Sequence, residues 1–302
     1  MKGTNFQLIS EILQGRWMIQ NEFANTLMPK VAELISGRTA SFYDTSAEEN
    51  LETSAGYFMA PNPSGTLYRI DPETADDIPE NTIAVLKLSG VVMKNDFCGM
   101  GGTASMRSNL ISALSFPNVV GSLIVTDSPG GAVNGTFELS QAIAAAKKPV
   151  FGFADGLAAS AAYLILCGCT EIFASHASAV IGSVGVMTTL SDYSEQLKSY
   201  GVTEHTFTAR TSPDKNKKYL EAMAGDDTKL QETDLIPLHK LFQDAITTSR
   251  PDVAAEALTG DTYLAEKAMS LGLIDGIASY EDVLARAMDV GAYYNAKNPI
   301  LI

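Results

Sequence analysis

A serine set among small residues is the feature of this sequence with the clearest chemical potential. Gly156-Leu157-Ala158-Ala159-Ser160-Ala161-Ala162-Tyr163 follows the apolar run Pro149 to Ala154. Val150, Phe151 and Phe153 predict a buried strand, Asp155-Gly156 a turn, and Ala158 to Cys167 a helix. Ser160 then stands at a strand-to-helix junction, where unpaired N–H groups and the positive helix end stabilise negative charge near its oxygen. That environment suits a nucleophile, although a serine can equally serve there as an ordinary N-terminal helix residue. A second segment, Asp127-Ser128-Pro129-Gly130-Gly131, closes one predicted strand and opens a helix. Its two glycines allow backbone angles that other residues resist and can present N–H groups to a carbonyl oxygen, as an oxyanion hole requires, or they simply make a turn. The third segment is Ile181-Gly182-Ser183-Val184-Gly185-Val186, in which the Ser183 hydroxyl either orients a catalytic group or satisfies a turn.

A serine nucleophile needs a base. The three histidines, His176, His205 and His239, fall in a loop, a predicted strand and a long helix, and none has an acid at a telling spacing. The alternative is a lysine kept neutral by burial, which can take the serine proton directly. Lys215, in Ser212-Pro213-Asp214-Lys215-Asn216, follows the predicted strand Val202 to Ala209; as a loop lysine it also fits the description of a solvated charge.

The elements that must position these groups alternate. Strands are expected over Thr82 to Val92, Val119 to Thr126, Val150 to Ala154, Glu171 to Ala174 and Val202 to Ala209, with helices over Ala104 to Leu114, Val133 to Lys147 and Asp192 to Tyr200. Repeated βα units imply a mainly parallel sheet covered by helices, with ligand chemistry at the carboxyl ends of the strands. A long helix is expected over 226–249, interrupted at Pro237, then a short one after Pro251. Ahead of this body, residues 5–37 carry apolar side chains at helical spacing (Phe6, Ile9, Ile12, Leu13; Phe23, Leu27, Val31, Leu34), which reads as two short helices for docking or assembly. Residues 38–80 turn polar and Pro- and Gly-rich, as in a linker. The expected division is residues 1–80 as helical extension and linker, 81–290 as the α/β domain, and 291–302 as a tail.

Composition narrows the classes. With 302 residues the chain can bury a full core, and 35 acidic against 21 basic residues give a net charge of −14. Nucleic acid and anionic membrane surfaces would be repelled, so neither is an expected partner. Cys98, Cys167 and Cys169 cannot all pair and lack the partners of a zinc site, so no metal or other cofactor is expected, and reduced thiols suit a cytoplasmic protein. No stretch is long and apolar enough to span a bilayer.

Five motifs then occur together: S-P-G-G at 128–131, K-K-P-V at 147–150, G-L-A-A-S-A-A-Y at 156–163, G-S-V-G-V at 182–186 and G-D-T-Y-L-A-E-K-A-M-S-L-G-L-I-D at 260–275. In this order and spacing they resemble the signal peptide peptidase A family of serine peptidases. The resemblance implies an α/β fold of the Clp protease and crotonase type, homo-oligomeric assembly, Ser160 as nucleophile and Lys215 as general base. With that dyad, the small-residue segments read as an oxyanion hole from the Gly131 and Ala161 N–H groups beside Gly130, and the Ser183 hydroxyl is a candidate for placing the lysine amine. Ala161-Ala162 stand where the family commonly has two glycines, which alters pocket shape more than chemistry. The stretch I-L-Q-G-R-W-M-I-Q-N-E-F-A at 12–24 is similar to the lead-in of soluble phage members, among them head-maturation proteases of the lambda protein C group. The expected function is therefore Ser-Lys endopeptidase action on a polypeptide, such as a capsid scaffold or portal-associated protein, in the host cytoplasm or prohead. A crotonase-like acyl-CoA enzyme and a non-catalytic assembly protein of the same fold are the alternatives.

Overall fold

A computed structural model describes residues 17–19, 58–63, 67–69, 78–96, 101–190, 192–203 and 205–297. In chain order the strands and helices are β1 (Trp17–Ile19), β2 (Phe58–Ala60), β3 (Tyr68–Arg69), β4 (Thr82–Ser89), α1 (Thr103–Ser115), β5 (Val119–Ser128), β6 (Gly130–Ala132), α2 (Thr136–Ala144), β7 (Val150–Ala159), α3 (Ala161–Cys167) and β8 (Glu171–Ala174). There follow β9 (Val180–Gly182), α4 (Ser194–Ser199), α5 (Lys217–Met223), α6 (Thr228–Leu230), a π turn (Gln231–Leu235), α7 (Ile236–Ser249), a 3-10 turn (Ala255–Leu258), β10 (Thr262–Leu264), α8 (Ala265–Ser270), β11 (Gly276–Ile277) and α9 (Tyr280–Lys297).

The main sheet runs β10-β9-β7-β5-β4-β2-β3, with β8 also paired to β7 and β11 to β8. Strands β4, β5, β7, β8 and β9 are parallel, so the expected α/β fold of repeated βα units is what forms. Alternate residues of the strands face two separate apolar layers. Ala84, Leu86, Leu88 and Ile124 meet α1, α2, α3, α7 and α8 on one side, whereas Ile83, Val85, Leu123, Phe151 and Phe153 meet α9 on the other. Every residue of α3 is buried, which is why its sequence is apolar all round rather than amphipathic. Tyr163 carries its one polar atom into this core and donates a 2.7 Å hydrogen bond to the Leu273 carbonyl. Burial pushes the Tyr163 phenol well up, and the Cys167 thiol up to about 12, so both stay protonated, and Cys167 and Cys169 are free thiols in the interior. Cys98 lies outside the described residues.

Several expectations change. The turn expected at Asp155-Gly156 is a bulge within one strand: β7 continues to Ala159 and α3 begins only at Ala161. Between the pairs Thr126↔Ala154 and Ser128↔Ala158, β7 holds two more residues than β5, and Gly156 at φ 98° takes up the excess. Among the described residues of 202–209 no strand forms and all are exposed, so the strand expected over Val202 to Ala209 is not found there. The long helix survives Pro237 because the proline sits in the first turn of α7, behind the π turn, where its missing N–H costs little. The polar stretch 38–80 contributes β2, which pairs with β4 as Phe58↔Val85 and Met59↔Ala84, so the sheet begins before residue 80. The two expected N-terminal helices lie outside the described residues, apart from Trp17–Ile19, which is extended.

Removing the Tyr163 hydroxyl leaves the Leu273 carbonyl without its buried partner. Tyr163→Phe is expected to lower unfolding free energy by about 1–3 kcal/mol in urea titration. An unchanged midpoint would contradict this role.

Candidate active site

Ser160 lies between β7 and α3 with φ 56° and ψ −119°, a backbone conformation that L side chains rarely adopt. Three anchors hold it there. Its N–H donates to the Gly182 carbonyl at 2.7 Å, its carbonyl accepts from the Leu164 N–H at 2.9 Å, and β9 flanks the end of β7 through Ala159↔Gly182. The hydroxyl itself is held loosely, 3.5 Å from the Gly185 carbonyl, although the residue is 1% exposed. An O–H···O contact that long is weak, so the Ser160 hydroxyl has no strong hydrogen-bond acceptor in this conformation.

The glycine turn lies alongside. Ser128 Oγ donates to the Gly90 carbonyl at 2.6 Å and accepts from the Gly130 N–H at 3.2 Å, which ties the turn to the end of β4. Gly130 has φ 95°, a left-handed value suited to glycine. Gly131 is required for a different reason: a Cβ there would stand 2.0 Å from the Val92 carbonyl oxygen. β6 packs against α3, so this turn and the Ser160 junction share one end of the sheet. Nearby, burial and then the Asp155 charge raise the Asp127 carboxyl above its usual range.

The third segment is folded against Ser160 as well. Ser183 has φ 54° and donates its N–H to the Asp261 carbonyl at 2.6 Å, while its carbonyl accepts from Gly185 at 2.8 Å. His239 braces this loop: its Nε2 lies 3.0 Å from the Val184 carbonyl and 3.1 Å from the Leu258 carbonyl, so that nitrogen carries the proton. His176 bonds to Ser178 and His205 is exposed, and among the described residues no histidine is hydrogen-bonded to Ser160.

The lysines separate clearly. Lys148 is buried and donates to the Phe116 carbonyl at 2.7 Å, and its burial lowers its pKa. It stands before the first residue of the ten-residue β7, however, and so about 30 Å from Ser160 along the strand. Lys217 pairs with Glu221 at 3.6 Å, and Lys218 with the buried Asp234 carboxylate at 2.5 Å. Lys215 has no ion pair among the described residues and lies on an exposed turn closed by its N–H to the Ser212 carbonyl. The structure therefore brings Gly130, Gly131, Ser160, Ala161 and Ser183 to one end of the sheet, while no hydrogen bond joins Lys215 to Ser160 within one chain. Two supporting residues went unassigned in the sequence: Ser128, visible only as part of S-P-G-G, and His239, which a lone helical histidine gives no means of placing.

Among the described residues no His, Cys, Asp or Glu cluster could hold a metal ion, and no helix is long and apolar enough to cross a membrane. The family model described as peptidase family S49 matches residues 142–293. The chain is 27% identical over 216 residues to Protease 4 of Salmonella typhi, covering 69% of this chain and 34% of that protein. It is 34% identical over 129 residues to Capsid assembly protease C of Escherichia phage lambda, covering 40% of this chain and 29% of that protein. Among solved structures it is similar to a ClpP1 mutant from Listeria monocytogenes, with 14% identity, a TM-score of 0.41, and coverage of 66% of this chain and 94% of that one. The chain spans 34–60% of the length of the first curated relatives it matches.

Strain at Ser160 has a measurable signature. Ser160→Gly is expected to be about 1–2 kcal/mol more stable than Ser160→Ala, because only glycine relaxes at this φ. Equal denaturation midpoints would contradict the strained geometry.

Proposed function

We propose, from the premise that the chain belongs to peptidase family S49, that this serine peptidase uses a Ser160-Lys215 dyad and cleaves polypeptides during capsid assembly. The observation that carries the reading is the strained Ser160 junction beside the glycine turn at one end of the sheet. Ser160 Oγ attacks the scissile carbonyl carbon, and its proton passes to the Lys215 amine. The N–H groups of Gly131 and Ala161 take the negative charge that develops on the carbonyl oxygen. Collapse of the tetrahedral species breaks the C–N bond as the protonated amine returns its proton to the leaving nitrogen. Water then repeats the sequence on the acyl-enzyme.

Lysine, in this scheme, must lose its charge, and one chain leaves Lys215 in solvent. The segment that carries it also exposes Tyr200, Val202, Leu220, Met223 and Phe207, the last at 92%. Covering these side chains with a neighbouring copy would bury the lysine and the apolar surface together, which supports homo-oligomeric action. The choice of Lys215 over its neighbours rests on their prior engagement with Glu221 and Asp234. The capsid setting rests on the relative from phage lambda, and the cytoplasm or prohead interior follows from it. With S49 membership established, the acyl-CoA alternative loses its footing.

Co-expression with candidate scaffold and portal proteins, followed by mass-spectrometric mapping of new termini, tests the assignment. Ser160→Ala and Lys215→Ala are expected to remain folded and abolish cleavage, whereas Lys217→Ala retains most of it. Lys218→Ala removes the ion pair to the buried Asp234 carboxylate, which keeps the Thr233 hydroxyl as a donor, and is expected to lower stability by about 1–3 kcal/mol in urea titration. Cleavage at near wild-type rate by Lys215→Ala would overturn the dyad.

A further inference from the structure

The strand β6 is bonded on one edge only to the main body. Val92 donates its N–H to the Gly130 carbonyl and accepts from the Ala132 N–H, both at 2.8 Å. Because these peptide units are trans, the Gly131 N–H points away from the Gly130 carbonyl, and the Gly131 carbonyl away from the Ala132 N–H. Both Gly131 groups therefore face the opposite edge. That edge is where β1 lies, antiparallel, with Trp17↔Ala132, Met18↔Gly131 and Ile19↔Gly130. In an antiparallel ladder the pair whose groups face each other exchanges both bonds, so the Gly131 N–H is directed to the Met18 carbonyl.

We infer that the outer edge of β6 is a docking groove for an extended polypeptide, and that Trp17–Ile19 of the same chain occupies it as a resident, substrate-like strand. The docking follows from the backbone pairing alone; the substrate-like part rests on the reading of Gly131 as an oxyanion donor. On that reading the Met18 carbonyl takes the place of a scissile carbonyl, and a polypeptide substrate must displace the segment to reach Ser160. Displacement is feasible because β1 and β6 form a two-stranded sheet of their own, outside the nine-stranded one. β6 stays bonded to Val92, but β1 is held to it by only three paired residues, so a competing strand of matching direction can exchange with it.

Met18→Pro removes the N–H that reaches the Gly131 carbonyl and places a ring in the ladder. In a Ser160→Ala background, where the segment stays attached, NMR hydrogen exchange at the Gly131 amide is expected to accelerate about tenfold or more on adding Met18→Pro. The Ala132 amide, held by Val92, should not change and serves as the control for local unfolding. A synthetic peptide of residues 12–24 in excess should restore slow exchange at Gly131. With Ser160 present, Met18→Pro should lower the KM for casein several-fold at unchanged kcat, since a competing strand has been removed. Equal Gly131 exchange in the two chains, joint acceleration of Gly131 and Ala132, or no rescue by the peptide would each overturn the groove. An unchanged KM would overturn the substrate-like role. Expected exchange in a chain that cleaves neither casein nor the candidate capsid proteins would remove the Ser160-Lys215 reading and leave the groove standing.

Discussion

The arrangement depends on one strand having to satisfy two neighbours. β7 pairs along its first half with β8, as Phe151↔Glu171 to Ala154↔Ala174, and along its second half with β9, as Leu157↔Val180 to Ala159↔Gly182. The bulge at Asp155-Gly156 separates the halves. Once β9 has captured the end of β7, the chain must reverse into α3 within one residue, and that residue is Ser160. Its positive φ is thus a consequence of sheet pairing upstream and of a wholly buried helix downstream. A cost of order 1–3 kcal/mol at one residue is sustained because both flanking elements are anchored in the core.

The same constraint gathers the rest of the site. β9 brings the 182–186 loop to the serine, and β10 with His239 keeps the loop from moving away. β5 ends beside β7, so the turn after it delivers Gly130 and Gly131 to the same end of the sheet, with Ser128 fixing the turn to β4. Backbone carbonyls and N–H groups, more than side chains, define this site. Small residues are therefore needed in all three segments, and Gly131 has no room for even a methyl group beside Val92.

Much of this was legible in the sequence. Apolar runs bounded by Gly and Pro gave the central strands, and β8 matched the expected Glu171 to Ala174 at both ends. The three segments stood out as clusters of glycine and small residues at strand ends, although the same residues make ordinary turns and helix starts. What could not be read was tertiary. Whether Asp155-Gly156 is a turn or a bulge depends on the neighbours of β7, and local composition is the same for both. Phe58–Ala60 joins the sheet from within a polar stretch because β4 offers an edge, whereas the described residues of 202–209 pair with no strand. Lys215 illustrates the limit most sharply: its type and position suit a base, but burial is a property of what packs over it.

The central claim is that Ser160 is a nucleophile held ready by backbone strain. The most direct measurement is reaction of the assembled protein with a fluorophosphonate, read by intact mass and by fragmentation to locate the adduct. A single adduct on Ser160, absent in Ser160→Ala and slowed in Lys215→Ala, is the expected result. An unmodified protein after prolonged incubation, or an adduct that persists in Ser160→Ala, would contradict the account.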